Sequence, residues 1–170
     1  MSEAKVGEEF ITHELDEAIA IQRTIVDAEQ QLSGSHPETE SQRYLERAHK
    51  KDQKFLQELE KLGQQHGATG EVEEVAGSLQ QLMQTTLESA PEAKSEAYEA
   101  HAVLLNLKRK QQDSASAMLK IAREMKDTEM RDAAAEFEKG TKESANELAD
   151  QLAALAVRIA TESGGASASR

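Results

Sequence analysis

The chain has 170 residues, the length of one domain, of which 31% are charged and 38% hydrophobic. It contains no Cys, no Trp and five aromatic residues, which excludes a disulfide scaffold and a cysteine-ligated zinc or iron–sulfur site. Asp and Glu number 32 against 20 Lys and Arg, a formal charge of −12 that repels phosphate backbones and sets DNA, RNA and anionic membranes aside as partners.

No apolar run approaches the roughly 18–20 residues that span a bilayer. The opening Met1-Ser2-Glu3-Ala4-Lys5 has no apolar signal core, so the expected compartment is the cytoplasm. High charge with low hydrophobicity also suits a disordered chain. Periodicity decides against disorder.

The first predicted helix covers about residues 6–32, with Ile11, Leu15, Ala18, Gln22, Ile25, Glu29 and Leu32 facing inward. Their alternation by four and three is the 3.5-residue repeat of a bundle seam. Gly34-Ser35-His36-Pro37 ends it, and Pro37 suits the first turn of the next helix, where Glu38 and Glu40 complement the dipole. The second helix continues to about residue 66 through Leu45, Ala48, Asp52, Phe55, Leu59 and Leu62. Gly63 to Gly70 breaks it. A shorter helix over 71–88 follows, striped by Val72, Val75, Leu79 and Leu82.

Pro91 opens the next long helix, whose seam is Ala97, His101, Leu104, Lys108, Gln111, Ala115, Met118, Ala122 and Met125. The break at Lys126-Asp127-Thr128 offers an Asp or a Thr as N-cap. The last helix runs to about residue 161 with Met130, Ala134, Phe137, Thr141, Leu148, Leu152, Leu155 and Ile159 inward. The expected domain is a single helical bundle over 1–162, followed by a disordered tail over 163–170.

The fold class is all-α: four long helices in two hairpins. Short hairpin turns force antiparallel neighbours. The long connection between the second and third long helices would let those two run parallel, the ferritin-like connectivity, with the short helix lying on the crossover. A plain up-down-up-down bundle with a capping helix is the alternative.

Each long helix is interrupted by polar residues near its middle: Glu17 and Gln22; Glu46, His49 and Asp52; Lys108, Gln111 and Asp113; Thr141, Glu143 and Asn146. Interruptions at compatible heights predict a polar layer across the core, which is costly unless its members pair or bind a metal. Glu46-Arg47-Ala48-His49 has the Glu-x-x-His spacing that lets a carboxylate and an imidazole on one helix face share a metal. The same spacing also describes a solvated Glu46 beside a core-edge His49.

A complete di-iron site needs a second Glu-x-x-His. Glu143-Ser144-Ala145-Asn146 has Asn where the His should be, and no Glu lies between Glu99 and Glu124. Lys108 offers a replacement: its ammonium at the centre of the layer would neutralise Glu17, Glu46 or Glu143 in place of the metal charge. The competing reading sends the Lys108 stem along the core and its head to solvent. His13, His36 and His66 fall near helix ends and are expected in solvent, whereas His101 reads as a buried, hydrogen-bonded histidine. Met118, Met125 and Met130 have core spacing. Nucleotide-binding and hydrolase motifs do not occur.

Several segments resemble the ferritin-like superfamily and, within it, the bacterial stress-associated ferritin-like family of unknown function. They are Leu15-Asp16-Glu17, His36-Pro37-Glu38, the run from Phe55 to Gly63, Gly77-Ser78-Leu79 and the run from Ala122 to Asp127. The resemblance spans roughly residues 15–156 and implies the fold more than an activity. The family's third long helix carries a Glu-His pair with another Glu behind it, where this chain reads Lys108-Arg109-Lys110-Gln111. Its fourth carries paired Glu residues, where this chain reads Thr141-Lys142-Glu143. The metal ligands it would imply reduce to Glu17, Glu46, His49 and Glu143.

The expected function is therefore a non-catalytic, stress-related or scaffolding bundle without a cofactor and with an incomplete di-iron site. The expected assembly is a homo-oligomer such as a dimer. The alternative is an iron-handling protein or metal-binding oxidoreductase using those four residues. A third reading is an adaptor that shows an acidic helical face to a basic partner.

Overall fold

A computed structural model describes residues 3–72, 75–88 and 93–165. They form five helices, α1 (Glu3–Ser35), α2 (Thr39–Gln65), α3 (Val75–Glu88), α4 (Lys94–Met125) and α5 (Thr128–Gly165), and no strand occurs among the described residues. The chain is all-α, as its periodicity predicts. Pro91 lies outside the described residues. So does 166–170 of the expected tail, while α5 continues to Gly165, past the expected end of the domain.

Local chemistry sets the turns. Pro37 precedes α2 and is not in its first turn, because Glu38 is extended at the N-cap (φ −116°) and helical backbone begins at Thr39. The Glu38 amide donates to His36 Nδ1 (3.0 Å), and Gln42 donates to the His36 carbonyl (2.7 Å), which folds the turn under the bundle. Lys126 ends α4 in the left-handed region at φ 58°. The Met130 amide donates to Asp127 Oδ1 (2.9 Å), so Asp127 is the cap of α5 and satisfies one of its orphan amides.

Contacts along the helices give their directions. Thr12 reaches the His66 carbonyl and His49 the Val26 carbonyl, so α1 and α2 are antiparallel. Lys94–Glu162 and Ser116–Glu138 make α4 and α5 antiparallel. Lys110–Glu17 and Lys108–Glu29 pair α4 with α1, and Glu38–Arg158 with Gln65–Glu129 pair α2 with α5, each in opposite directions. It follows that α2 and α4 run the same way, and that the connection between them returns along the bundle. Its start is tied to α1: Asp16 Oδ1 accepts from the amides of Thr69 (2.7 Å) and Gly70 (2.8 Å). Gly70 takes φ +82°, a conformation that glycine adopts without a Cβ clash.

The α3 helix packs against α1 and α4. Its buried face is Ala76, Met83 and Leu87, with Leu79 half-buried, whereas Leu82 is 49% exposed. The expected stripe through Leu82 is thus corrected: Val72 precedes the helix, and the short element turns its Ala76–Met83–Leu87 ridge inward. The side chain of Val75 lies outside the described residues.

The long-helix seams fall where the heptads predict, with exceptions at Phe55, Leu152 and Ile159, which are half-buried, and at Met125. Met125, the last residue of α4, is 52% exposed. The apolar core divides in two. One cluster gathers Ile11, Leu15, Leu59, Met118, Met130 and Phe137; the other gathers Ile25, Leu32, Leu45, Leu104, Leu107 and Leu148. Polar side chains occupy the space between them.

Candidate functional site

Four long helices each send a polar side chain into that space. Lys108 of α4 is 2% exposed and its ammonium donates to Glu29 Oε1 of α1 (2.5 Å), Asp52 Oδ2 of α2 (2.7 Å) and Ser144 Oγ of α5 (2.6 Å). Ser144 in turn donates to Asp52 Oδ2 (3.2 Å). Gln22 Nε2 donates to the Asp52 carbonyl (3.0 Å) and to Asp52 Oδ1 (3.2 Å). Gln111 Nε2 extends the chain to Gln22 Oε1 (3.0 Å) and the Ala18 carbonyl (2.8 Å). The cluster is packed too closely to admit a water molecule.

Charge within the cluster follows from burial. For Glu29, burial drives the pKa well above the usual carboxyl range, the Lys108 ammonium opposes this, and the Asp52 carboxylate adds to it. Burial also pushes Asp52 up, but the attraction and hydrogen bond of Lys108, with smaller contributions from Glu29 and Gln22, outweigh it, so its pKa is lowered. Burial disfavours the charged Lys108, and the two carboxyl groups reverse that to a net rise. Glu29 Oε2 has no hydrogen-bond partner among the described residues. An ionised oxygen left bare in a dry core is costly, which works against the charged form of Glu29. The Lys108–Asp52 pair is the ionic core of the cluster, and Glu29 is the member whose charged form burial disfavours.

The sequence-derived ligands do not converge. Glu17 pairs with Lys110 (3.1 Å) and lies 3.9 Å from His13. Glu46 is exposed. His49 is half-buried, with Nδ1 3.0 Å from the Val26 carbonyl. Glu143 lies at the surface, 3.7 Å from Lys51. Lys108 is central, as one reading of its spacing expects, but its partners are Glu29 and Asp52 in place of Glu17, Glu46 and Glu143. The reason is register. The α1–α2 turn centres on His36-Pro37, so Gln22 stands opposite Asp52, and His49 stands opposite the Val26 backbone.

This donor set does not suit a di-iron centre. Glu29 and Asp52 converge, but their oxygens already face an ammonium, and the remaining neighbours are amide and hydroxyl groups. Among the described residues, no group of three or more His, Asp or Glu side chains is gathered so as to hold a metal ion. Glu29 and Asp52 were legible as charged residues at seam positions; the Glu-x-x-His spacing pointed one turn aside.

A second buried polar group sits at the His36 turn. The His36 and His101 rings lie 5.0 Å apart, centre to centre, and both residues are buried. The expectation that His36 is solvated is corrected, because its turn folds it beneath α4. His101 is buried as expected, but neither ring nitrogen has a hydrogen-bond partner among the described residues. Burial, with a smaller contribution from His36, lowers its pKa to about 4. Above this pair, Glu38 binds Arg158 (2.8 Å) and Lys94 (3.3 Å).

The chain matches no known protein-family model and no curated protein.

Proposed function

We propose that this chain is a non-catalytic, ferritin-like bundle in which an ammonium–carboxylate cluster stands where metal-binding relatives carry a di-iron centre, and that it serves as a cytoplasmic, stress-related scaffolding protein. The observation that carries the reading is Lys108, held between Glu29 and Asp52 at the centre of the bundle. A cation there supplies the positive charge that buried carboxyl groups require, and it occupies the oxygens a metal would need. Ferritin-like connectivity draws support from the common direction of α2 and α4 and the long return between them. The iron-handling alternative lacks a converging ligand set.

Metal analysis tests this. Protein loaded anaerobically with Fe(II) and desalted is expected to retain no stoichiometric iron; about two irons per chain would overturn the reading. Lys108→Glu is expected to lose stability, since it gathers acidic groups with no cation. Unchanged stability with no gained iron would remove the charge-replacement role.

A further inference from the structure

Of the neighbouring long helices, α2 and α5 touch least. Toward the Gln65–Glu129 end they part to leave a groove of about 390 Å³. Phe55, Leu59, Leu62 and Phe137 form its apolar wall and floor, and Phe55 is only half-buried. Four of the five charged residues that line the groove are acidic. Glu58, Glu129, Asp132 and Glu136 border it with one lining ammonium, that of Lys61; Arg131 pairs with Asp132 (2.7 Å) and Lys54 lies 4.0 Å from Glu58 beside it.

We propose that this groove docks one amphipathic, basic helix of a partner protein, with apolar side chains on the Phe55–Phe137 floor and Lys or Arg against the acidic rim. The length suits a short helix. From Phe55 to Gln65 the groove follows α2 for about 15 Å, which accommodates roughly three turns and anchors at i, i+3 or i+4, and i+7. The charge selects the partner. A second copy of this chain would bring its own −12 charge against four carboxylates and be repelled. A phosphate backbone or an anionic bilayer would be repelled likewise. The inference supplies a partner class for the scaffolding role and rests on that part of the reading alone; iron loading tests the ion cluster separately.

The probe is a fluorescein-labelled Leu/Lys peptide of about 14 residues with Leu at helical spacing, titrated with the full chain and followed by anisotropy. Saturable one-to-one binding is expected, with none for a peptide carrying Glu at the Lys positions. Ala133→Trp, which fills the groove from an exposed lining position, is expected to weaken binding about tenfold or more. The triple variant Glu58→Lys, Asp132→Lys, Glu136→Lys should do the same. Asp27→Lys, Glu46→Lys, Asp113→Lys makes an equal charge change at exposed sites outside the groove and should leave most of the binding intact. Thermal melts identify the folded variants, and the two triple variants decide the matter if Ala133→Trp fails to fold. No binding to the Leu/Lys peptide would overturn the proposal. So would equal weakening by the two triple variants, which marks diffuse attraction, or displacement by the peptide of a dimer held through this groove.

Discussion

At the scale of single residues, the bundle's stability turns on which member of the Lys108 cluster is removed. Asp52→Ala leaves a buried ammonium without its ionised partner and is expected to cost about 3–5 kcal/mol in urea denaturation. Glu29→Gln keeps an oxygen for Lys108 and replaces a group whose pKa burial has raised, so a loss of about 1 kcal/mol or less is expected. Equal losses in the two variants would contradict this division of charge. His101 gives a pH dependence of defined sign. Its folded pKa of about 4 lies below the ordinary histidine value of 6.5, so the folded state binds fewer protons than the unfolded state. The contribution is present above pH 6.5 and is lost as pH falls toward about 4. His101→Leu should therefore lose less stability than the parent between those values; parallel pH profiles would exclude His101 as a source of acid lability.

At the scale of elements, the α2–α5 contact depends on one glycine. A Cβ at Gly140 would stand 1.9 Å from the Phe55 ring, although nothing in the helical backbone of α5 itself asks for glycine there. Helix propensity favours Ala by about 1 kcal/mol. Overpacking opposes it, and Gly140→Ala is expected to destabilise by a net 1–2 kcal/mol or so, with recovery in the Phe55→Leu background. Chemical denaturation of the four proteins of that cycle measures the coupling. Phe55 was legible as a seam residue, whereas its need for a gap in the facing helix was not, because Gly140 and Phe55 are 85 positions apart in the chain. The break between α4 and α5 was legible to within a residue, because a cap such as Asp127 is a local device, whereas the start of α4 and the end of α5 were not.

At the scale of the molecule, two apolar clusters are joined through a polar waist, and the surface carries a −12 charge. Self-repulsion of that surface is long-ranged and screened by salt, whereas the Lys108–Asp52 pair is buried beyond reach of counterions. Raising NaCl from about 10 mM to about 0.5 M is therefore expected to raise the Tm. A fall would mean that surface ion pairs such as Arg23–Glu60 and Lys94–Glu162 outweigh the repulsion.

Sequence periodicity by itself determined the helical class, the four long seams and the presence of a polar layer, because a 3.5-residue repeat is a property of each helix alone. It brought Lys108 to the layer and listed Glu29 and Asp52 among the inward positions. Which of these groups meet was decided by tertiary structure. The α1–α2 register depends on where the His36 turn closes, and that closure sets His49 at the Val26 carbonyl and Asp52 at Lys108. The direction of α4 relative to α2 was likewise open, since a long connection permits either. Pairings between helices settle it, and those are made between residues far apart in the chain.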